Sequence, residues 1–237
     1  MDVSKSPAKI AGMFDAIAGN YDLLNHLLSA GIDRRWRKQA VRSLRLTGTE
    51  RVLDLCTGTG DLAIAAGTAS PGAARVLGVD FAGAMLRIGL DKLRSARLTE
   101  RIALVRGDAT QIPLPDTSVD AVTIGFGIRN VEDTEAACRE IHRVLTAGGR
   151  LAILEFSVPT FPIVRTAYAF YFNRVLPGIG RLISRHNAAY GYLPASVGAF
   201  ATPQEFVTLL QKVGFVSVQA RPLTFGIVYL YVAQRSR

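Results

Sequence analysis

The chain has 237 residues, a mass of 25.5 kDa, 49% hydrophobic and 20% charged side chains, and a formal net charge of +9. That length and composition fit one domain with a sizeable core and exclude wholesale disorder or a need for disulfide or metal staples. Mean hydropathy is +0.23, yet no run of about 18 purely apolar residues occurs and MDVSKSPAK lacks an apolar stretch, so neither a spanning helix nor a signal peptide is expected.

Residues 1–9 read as a frayed tail. Apolar spacing at Ile10, Met13, Phe14 and Ile17, then Leu23, Leu24, Leu27 and Leu28, predicts helix. Gly31 breaks it, and Asp33 is placed to cap a second helix, RRWRKQAVRSL. From Arg51 the rhythm changes. RVLDLC, ARVLGVD, RIALVRGD, DAVTIGF and GRLAILEFS are short apolar strands, separated by the helical segments DLAIAAGTA, AGAMLRIGLDKLRSA and TEAACREIHRVLTAGG. This alternation predicts βαβ units and a parallel sheet, buried on both faces. An aromatic insertion of about 45 residues follows; the helix TPQEFVTLLQKVG, with Thr202 as N-cap, comes next. FVSVQARPL and GIVYLYVAQR are joined by a short link, which makes them an antiparallel hairpin at the sheet edge. The fold class is therefore α/β and Rossmann-like, with a mostly parallel seven-stranded sheet. Within a single domain, residues 1–46 form a helical lid, 51–157 the ligand-binding core, 158–200 a substrate-side insertion, and 201–237 the final helix and hairpin.

RVLDLC runs into TGTGDLAIA, where Gly58, Gly60 and Ala63 fit the G-x-G-x-x-G/A pattern of a strand-to-helix nucleotide loop. Asp80 ends the next strand, 20 residues after Gly60, where a carboxylate can accept from both ribose hydroxyls. A tight turn without a ligand is the plain alternative. NAD(P) and S-adenosylmethionine both suit such a loop. Three features favour the second: Asp54 on the strand, placed to reach a cationic amino-acid group; Asp108 in GDA, placed to accept from an adenine amino group; and the terminal antiparallel hairpin.

LDLCTGTG, GVDF and GDATQIPLPDTSVDAVTIGFGIRNV resemble a class I S-adenosylmethionine-dependent methyltransferase. MFDAIAGNYDLLNHLLSAGIDRRWR, RVLTAGGRLAILEFS and YLPASV…TFGIVYLYVA narrow the resemblance to the menaquinone/ubiquinone biosynthesis C-methyltransferases, over about Ile10 to Ala233. Cys56, Asp33 and Thr146-Ala147 stand where that family usually has glycine, histidine and Lys-Pro. The resemblance implies S-adenosylmethionine as cofactor, with contacts at Thr59, Asp80, Asp108 and Ala109; Asp54, Gly58, Gly60 and Phe81 complete the expected site, with Gly125 contributing backbone only. It implies a polyprenylated quinol as substrate. Demethylmenaquinol is favoured over a methoxy-benzoquinol by TFGIVYLYVA and FGIRNV.

Carbon methylation of a quinol needs a group that stabilises phenolate. GFGIRN follows the fourth strand, so Arg129 and Asn130 are expected beside the reacting methyl, with surface pairing of Arg129 to Glu132 or Asp133 as the alternative. Tyr21 is a lid candidate for catalysis, His186 and Tyr190 are proton-transfer candidates, and Glu155 is expected to make a structural hydrogen bond. His26, His142 and His186 are far apart in sequence, so no metal site is expected.

The excess of 28 Lys and Arg over 19 Asp and Glu also admits a nucleic-acid methyltransferase. No Asn/Asp-Pro-Pro-aromatic loop is present, and neither Cys56 nor Cys138 suits a cytosine nucleophile, so no nucleic-acid partner is expected. A non-catalytic cofactor-binding module is the third reading. Residues 156–204 hold Arg165, Arg174, Arg181 and Arg185, no acid and nine aromatic side chains. That composition predicts peripheral contact with an anionic membrane surface, on the cytoplasmic side. Oligomeric state is left open, a homo-oligomer included.

Overall fold

The computed structural model describes residues 6–29, 31–170 and 187–237. Arg174, Arg181, Arg185 and His186 lie outside the described residues, as does the side chain of Tyr190.

Two helices, α1 (Pro7–Leu28) and α2 (Asp33–Ser43), precede the sheet. The core then runs β1 (Arg51–Leu55), α3 (Asp61–Thr68), β2 (Arg75–Asp80), α4 (Gly83–Ser95), β3 (Ile102–Arg106), β4 (Val119–Gly125), α5 (Thr134–Val144) and β5 (Leu145–Phe156). After it come α6 (Pro162–Phe170), α7 (Asn187–Ala199), α8 (Pro203–Val213), β6 (Phe215–Leu223) and β7 (Val228–Arg235). The sheet order is β3-β2-β1-β4-β5-β7-β6, with β7 and β6 antiparallel to their neighbours. This is the expected class I methyltransferase architecture. The order adds one detail: β7, the second arm of the hairpin, inserts between β5 and β6, so β6 alone forms that edge. Pro222 is tolerated on this edge strand, where a missing N–H does not interrupt an interior ladder.

Both faces of the parallel strands are buried, and successive residues feed opposite layers. Leu53, Leu55, Val122, Ile124, Leu151 and Ile153 pack with α5 and α8. Val52, Ala121, Ala152 and Leu154 pack with α2, α3 and α4. Two layers of helix thus clamp one sheet. They leave its carboxyl edge as the place where loops meet ligands.

Side-chain caps start two of the helices, Asp133 at α5 and Thr202 at α8. Thr202 accepts from the Glu205 backbone, while Glu205 accepts from the Thr202 backbone, a capping box that starts α8 as expected. Three expectations need correction. Helix α1 begins at Pro7, within the stretch read as frayed, because proline suits a first helical turn. Asp33 does not cap α2: Ile32 occupies that position, and the Asp33 carboxylate instead accepts from Ser29, His26 and Arg37. TAGG is strand, not helix end. Helix α5 stops at Val144 and β5 begins at Leu145, with Gly148 at φ 74° and Gly149 so close to Thr146 that an added Cβ would stand 2.8 Å from its carbonyl oxygen.

Candidate cofactor and active site

Strand β1 delivers the loop Thr57–Gly60 to the carboxyl edge. Gly58 and Gly60 adopt φ of 55° and 81°, left-handed values that glycine reaches without a Cβ penalty. The turn they permit brings the Gly58 N–H to Asp80, at the end of β2. Asp80 Oδ2 accepts from Gly58 N at 2.8 Å and Oδ1 from Ala82 N at 2.9 Å. Each oxygen is fixed by one backbone donor and keeps lone-pair capacity for a ligand. Burial raises the Asp80 pKa, which those donors oppose.

Asp80 lines a cavity of about 440 Å³, within the range of small-ligand sites. Phe81, Asp108, Ala109 and Asn130 line the same cavity. Asp108 holds its own turn by accepting from Thr110 N and Oγ1 through Oδ1, both at 2.8 Å. Its Oδ2 accepts from no described residue.

The other sequence-expected residues occupy different places. Asp54 is 1% exposed and lies behind the loop, where Oδ2 accepts from Thr57 and Oδ1 from Thr123 at 2.6 and 2.7 Å. Both oxygens are engaged, so Asp54 supports the loop from beneath. Burial raises its pKa to about 6. Thr59 turns away from the cavity: its hydroxyl donates to Asp22 of α1 at 2.6 Å and accepts from Lys92 of α4 at 3.2 Å. Gly125 sits where β4 passes α3; an added Cβ there would stand 3.2 Å from Leu62.

Helix α1 crosses this loop. Asp15 accepts from the Ala84 backbone at the start of α4, and Lys92 bridges Asp22 and Asp61. Tyr21 is half-buried on this helix, packed with Ala82 and Met85 and bonded to Asn25. Burial raises its pKa, and the charges of Arg129, Arg37 and Asp80 also act on it. Neither Asp22 nor Lys92 was legible as a site residue, because their partners are remote in sequence. His26, Asp33 and Asp61 bring ligand-type atoms within 4.8 Å of one another. The Arg37 guanidinium already binds both carboxylates there, so the cluster holds a protein cation.

At the end of β4, a short 3-10 turn, Ile128–Asn130, carries Arg129 and Asn130. Arg129 is 5% exposed and does not pair with Glu132 or Asp133, as the surface alternative held. Its Nη1 donates to Glu155 Oε1 at 2.7 Å and to the Phe126 carbonyl, and Nε donates to Ser196. Glu155, at the end of β5 and fully buried, makes the expected structural contacts, accepting also from the Arg129 and Phe156 backbones. Arg129 Nη2 donates to no described residue. Asn130 accepts from Tyr192 of α7 at 3.0 Å. Neither Ser196 nor Tyr192 was foreseen. The i, i+4 spacing of the two was the available signal.

The sheet, the glycine turn and the acid at the end of β2 define a class I S-adenosylmethionine-dependent methyltransferase. The chain belongs to the ubiE/COQ5 methyltransferase family, whose model it matches over residues 1–235. It is 46% identical to the ubiquinone/menaquinone biosynthesis C-methyltransferase UbiE of Geobacter sp. (strain M21), covering 98% of this chain and 99% of that protein. It is 40% identical to the demethylmenaquinone methyltransferase of Bacteroides fragilis, covering 98% and 94%. In fold it is similar to a putative S-adenosyl-L-methionine-dependent methyltransferase from Methanococcus maripaludis, with a TM-score of 0.65, 23% identity and 93% and 92% coverage. The residues fit the cofactor: Asp80 offers paired acceptors to ribose hydroxyls, and Asp108 keeps a free oxygen on the same cavity.

Removing the Asp80 carboxylate by Asp80→Ala is expected to weaken S-adenosylmethionine binding by about 1.5–3 kcal/mol, the value of a charged hydrogen-bond partner. Unchanged affinity in calorimetry would exclude Asp80 from the site. Asp54 gives a pH prediction. Its folded pKa of about 6 exceeds its ordinary value of 3.8, so between these values the folded chain keeps a proton that the unfolded chain has lost. This contribution to stability is complete below that window, declines as pH rises through it, and is constant above. At about 1.36 kcal/mol per unit the decline is on the order of 3 kcal/mol. Urea unfolding at pH 4 and pH 7 should show Asp54→Asn losing less stability than the parent chain over this interval. Equal losses would refute the buried-acid assignment.

Proposed function

We propose that this methyltransferase acts on a ring carbon of a polyprenylated quinol, converting demethylmenaquinol to menaquinol in menaquinone biosynthesis. The observation that carries the reading is the Ile128–Asn130 turn at the carboxyl end of β4: it sets Asn130 on the wall of the Asp80 cavity, with Arg129 next to it in the chain and buried against Glu155. The names of the Geobacter and Bacteroides relatives support a quinone substrate. The combined ubiquinone/menaquinone name of the former supports a second reading, methylation of 2-methoxy-6-polyprenyl-1,4-benzoquinol.

S-adenosylmethionine supplies a methyl group already activated on sulfonium. The task of the protein is to make a ring carbon nucleophilic, which happens when the neighbouring hydroxyl ionises. A guanidinium remains protonated and serves as a donor, not as a base. Arg129 is neutralised by Glu155, so the pair offers oriented N–H groups at low net charge, a preorganised site for a developing phenolate. Asn130 supplies a second donor, and Tyr21 covers the site from α1. The two thiols suit no nucleophilic role: burial raises both, Cys138 to about 12.

Arg129→Ala alone leaves Glu155 buried without its partner, a loss of roughly 3–5 kcal/mol that confounds activity with folding. The neutral pair Arg129→Gln/Glu155→Gln avoids this. It should bind S-adenosylmethionine nearly as the parent does, yet turn over about 100-fold more slowly, the scale of one lost transition-state donor. Turnover preserved at saturating quinol would remove Arg129 from the mechanism. Mass spectrometry of quinones from gene-deleted cells distinguishes the rings: accumulated demethylmenaquinone supports the first reading, and a demethylated benzoquinone the second.

The substrate tail belongs in a bilayer, and no described helix is long and apolar enough to cross one. We infer that the protein docks peripherally. Phe161, Ile163 and Phe170 on and before α6 are 69%, 82% and 63% exposed, and Phe225 in the β6–β7 link is 80% exposed. The Ser157 backbone bonds to Ile227, so the exit toward α6 and the hairpin link leave the sheet at the same end. Exposed rings of this kind sit well at headgroup depth, and each arginine near an anionic leaflet adds about 1 kcal/mol. Replacing Arg165, Arg174, Arg181 and Arg185 with glutamine should reduce binding to anionic liposomes and activity on long-tailed quinol, while sparing a soluble short-tailed analogue. Equal losses on both substrates would count against docking.

A further inference from the structure

Helix α7 does more than cover the active-site end. Tyr192 and Ser196 are four residues apart, so they share one face, and that face meets the Arg129–Asn130 turn. The Tyr192 hydroxyl donates to Asn130 Oδ1 at 3.0 Å. One turn later, Ser196 Oγ accepts from Arg129 Nε at 3.3 Å and donates to the Leu193 carbonyl at 3.0 Å. Ser196 is fully buried, and Asn130 is 6% exposed on the cavity wall.

These bonds remove an ambiguity from the site. An asparagine amide has a donor edge and an acceptor edge, and a ring oxygen awaiting stabilisation as phenolate needs the donor. With Oδ1 occupied by Tyr192, the remaining edge is Nδ2, which donates to no described residue. Burial raises the Tyr192 pKa, so the hydroxyl keeps at neutral pH the proton that it donates to Oδ1. We propose that Tyr192 is a positioning residue for methyl transfer: it holds the Asn130 amide with Nδ2 toward the quinol ring oxygen, while Ser196 holds the orientation of Arg129. The proposal deepens the quinol reading and depends on the Arg129–Asn130 turn being the catalytic one. It makes α7 a second source of order at the reacting centre, supplied from the segment that follows the core.

The test is a double-mutant cycle on the full chain with Tyr192→Phe, Asn130→Ala and the combination, using S-adenosylmethionine and a short-tailed naphthoquinol. Tyr192→Phe keeps the ring and its packing. It should lower kcat about tenfold, with KM for S-adenosylmethionine and calorimetric cofactor affinity within twofold of the parent. Asn130→Ala should lower kcat at least as much. In the Asn130→Ala background, Tyr192→Phe should have no further effect, because the amide it orients is gone. A purely structural tyrosine would lower activity by the same factor in both backgrounds, and that result overturns the proposal. Parent-like kcat in Tyr192→Phe, with Asn130→Ala impaired, also overturns it but leaves the quinol reading intact. Full activity in Asn130→Ala would instead overturn the assignment of the turn as catalytic, and the positioning role with it.

Discussion

The ion pair between Arg129 and Glu155 is the contact around which the carboxyl edge of the sheet is organised. It joins the turn after β4 to the last residues of β5, and both side chains are withdrawn from water. Such a pair is tolerable only when each remaining donor and acceptor is satisfied or faces a function. Glu155 meets this by accepting two bonds beyond the ion pair, from the Arg129 backbone and the Phe156 backbone. Arg129 does so for Nε and Nη1, through Ser196, Phe126 and Glu155, and its Nη2 donates to no described residue; the Phe156 ring lies 5.5 Å beneath its guanidinium carbon. Phe126 adopts φ 61°, an unusual value for a residue with a side chain. Its ring stacks on Phe156 at 4.6 Å and also contacts Trp36 of α2, whose indole donates to Thr224 in the hairpin link. One buried pair thus fixes where the parallel strands, the second helix and the hairpin meet.

Helix α1 is held by electrostatics of a different kind. Asp22, Asp61, Lys92, Arg37, Asp33 and His26 form a chain of charges and hydrogen bonds running through α1, α2, α3 and α4. Lys92, Asp22 and Asp61 remain partly exposed, so each contact contributes about 1 kcal/mol or less. Together they tie α1 to α4 and to the glycine loop through several weak contacts, with no strong one among them.

Two carboxylates flank the same loop in contrasting environments. Asp80 is held by backbone N–H groups and faces the cavity; Asp54 is held by threonine hydroxyls and faces the core. The first is arranged to meet a ligand, the second to shape the turn that meets it. Their sequence signals were nearly alike, an aspartate on or at the end of a strand beside glycines. Which of them touches the cavity is a matter of side-chain direction at the strand end.

Much was determined by the sequence alone. Alternation of short apolar runs with helical segments specifies a parallel sheet, because only strands buried on both faces are apolar at successive positions. The Gly58–Gly60 turn and the Asp80 position are local as well: positive φ demands glycine, and a carboxylate ending the next strand lies beside that turn. Thr202, Pro203 and Glu205 specify the start of α8 in the same local way. The partner of Arg129, by contrast, was not legible: the sequence offered only Glu132 and Asp133, near along the chain, as a surface alternative, whereas Glu155 is near only across adjacent strands. The Thr59 turn toward Asp22, the Arg37 bridge between Asp33 and Asp61, the insertion of β7 beside β5, and the approach of Tyr192 to Asn130 share that origin. Periodicity and turn chemistry act over a few residues, so they are written in the chain. Pairings between side chains tens of residues apart follow from which elements the packed sheet brings together, and tertiary structure alone decided them.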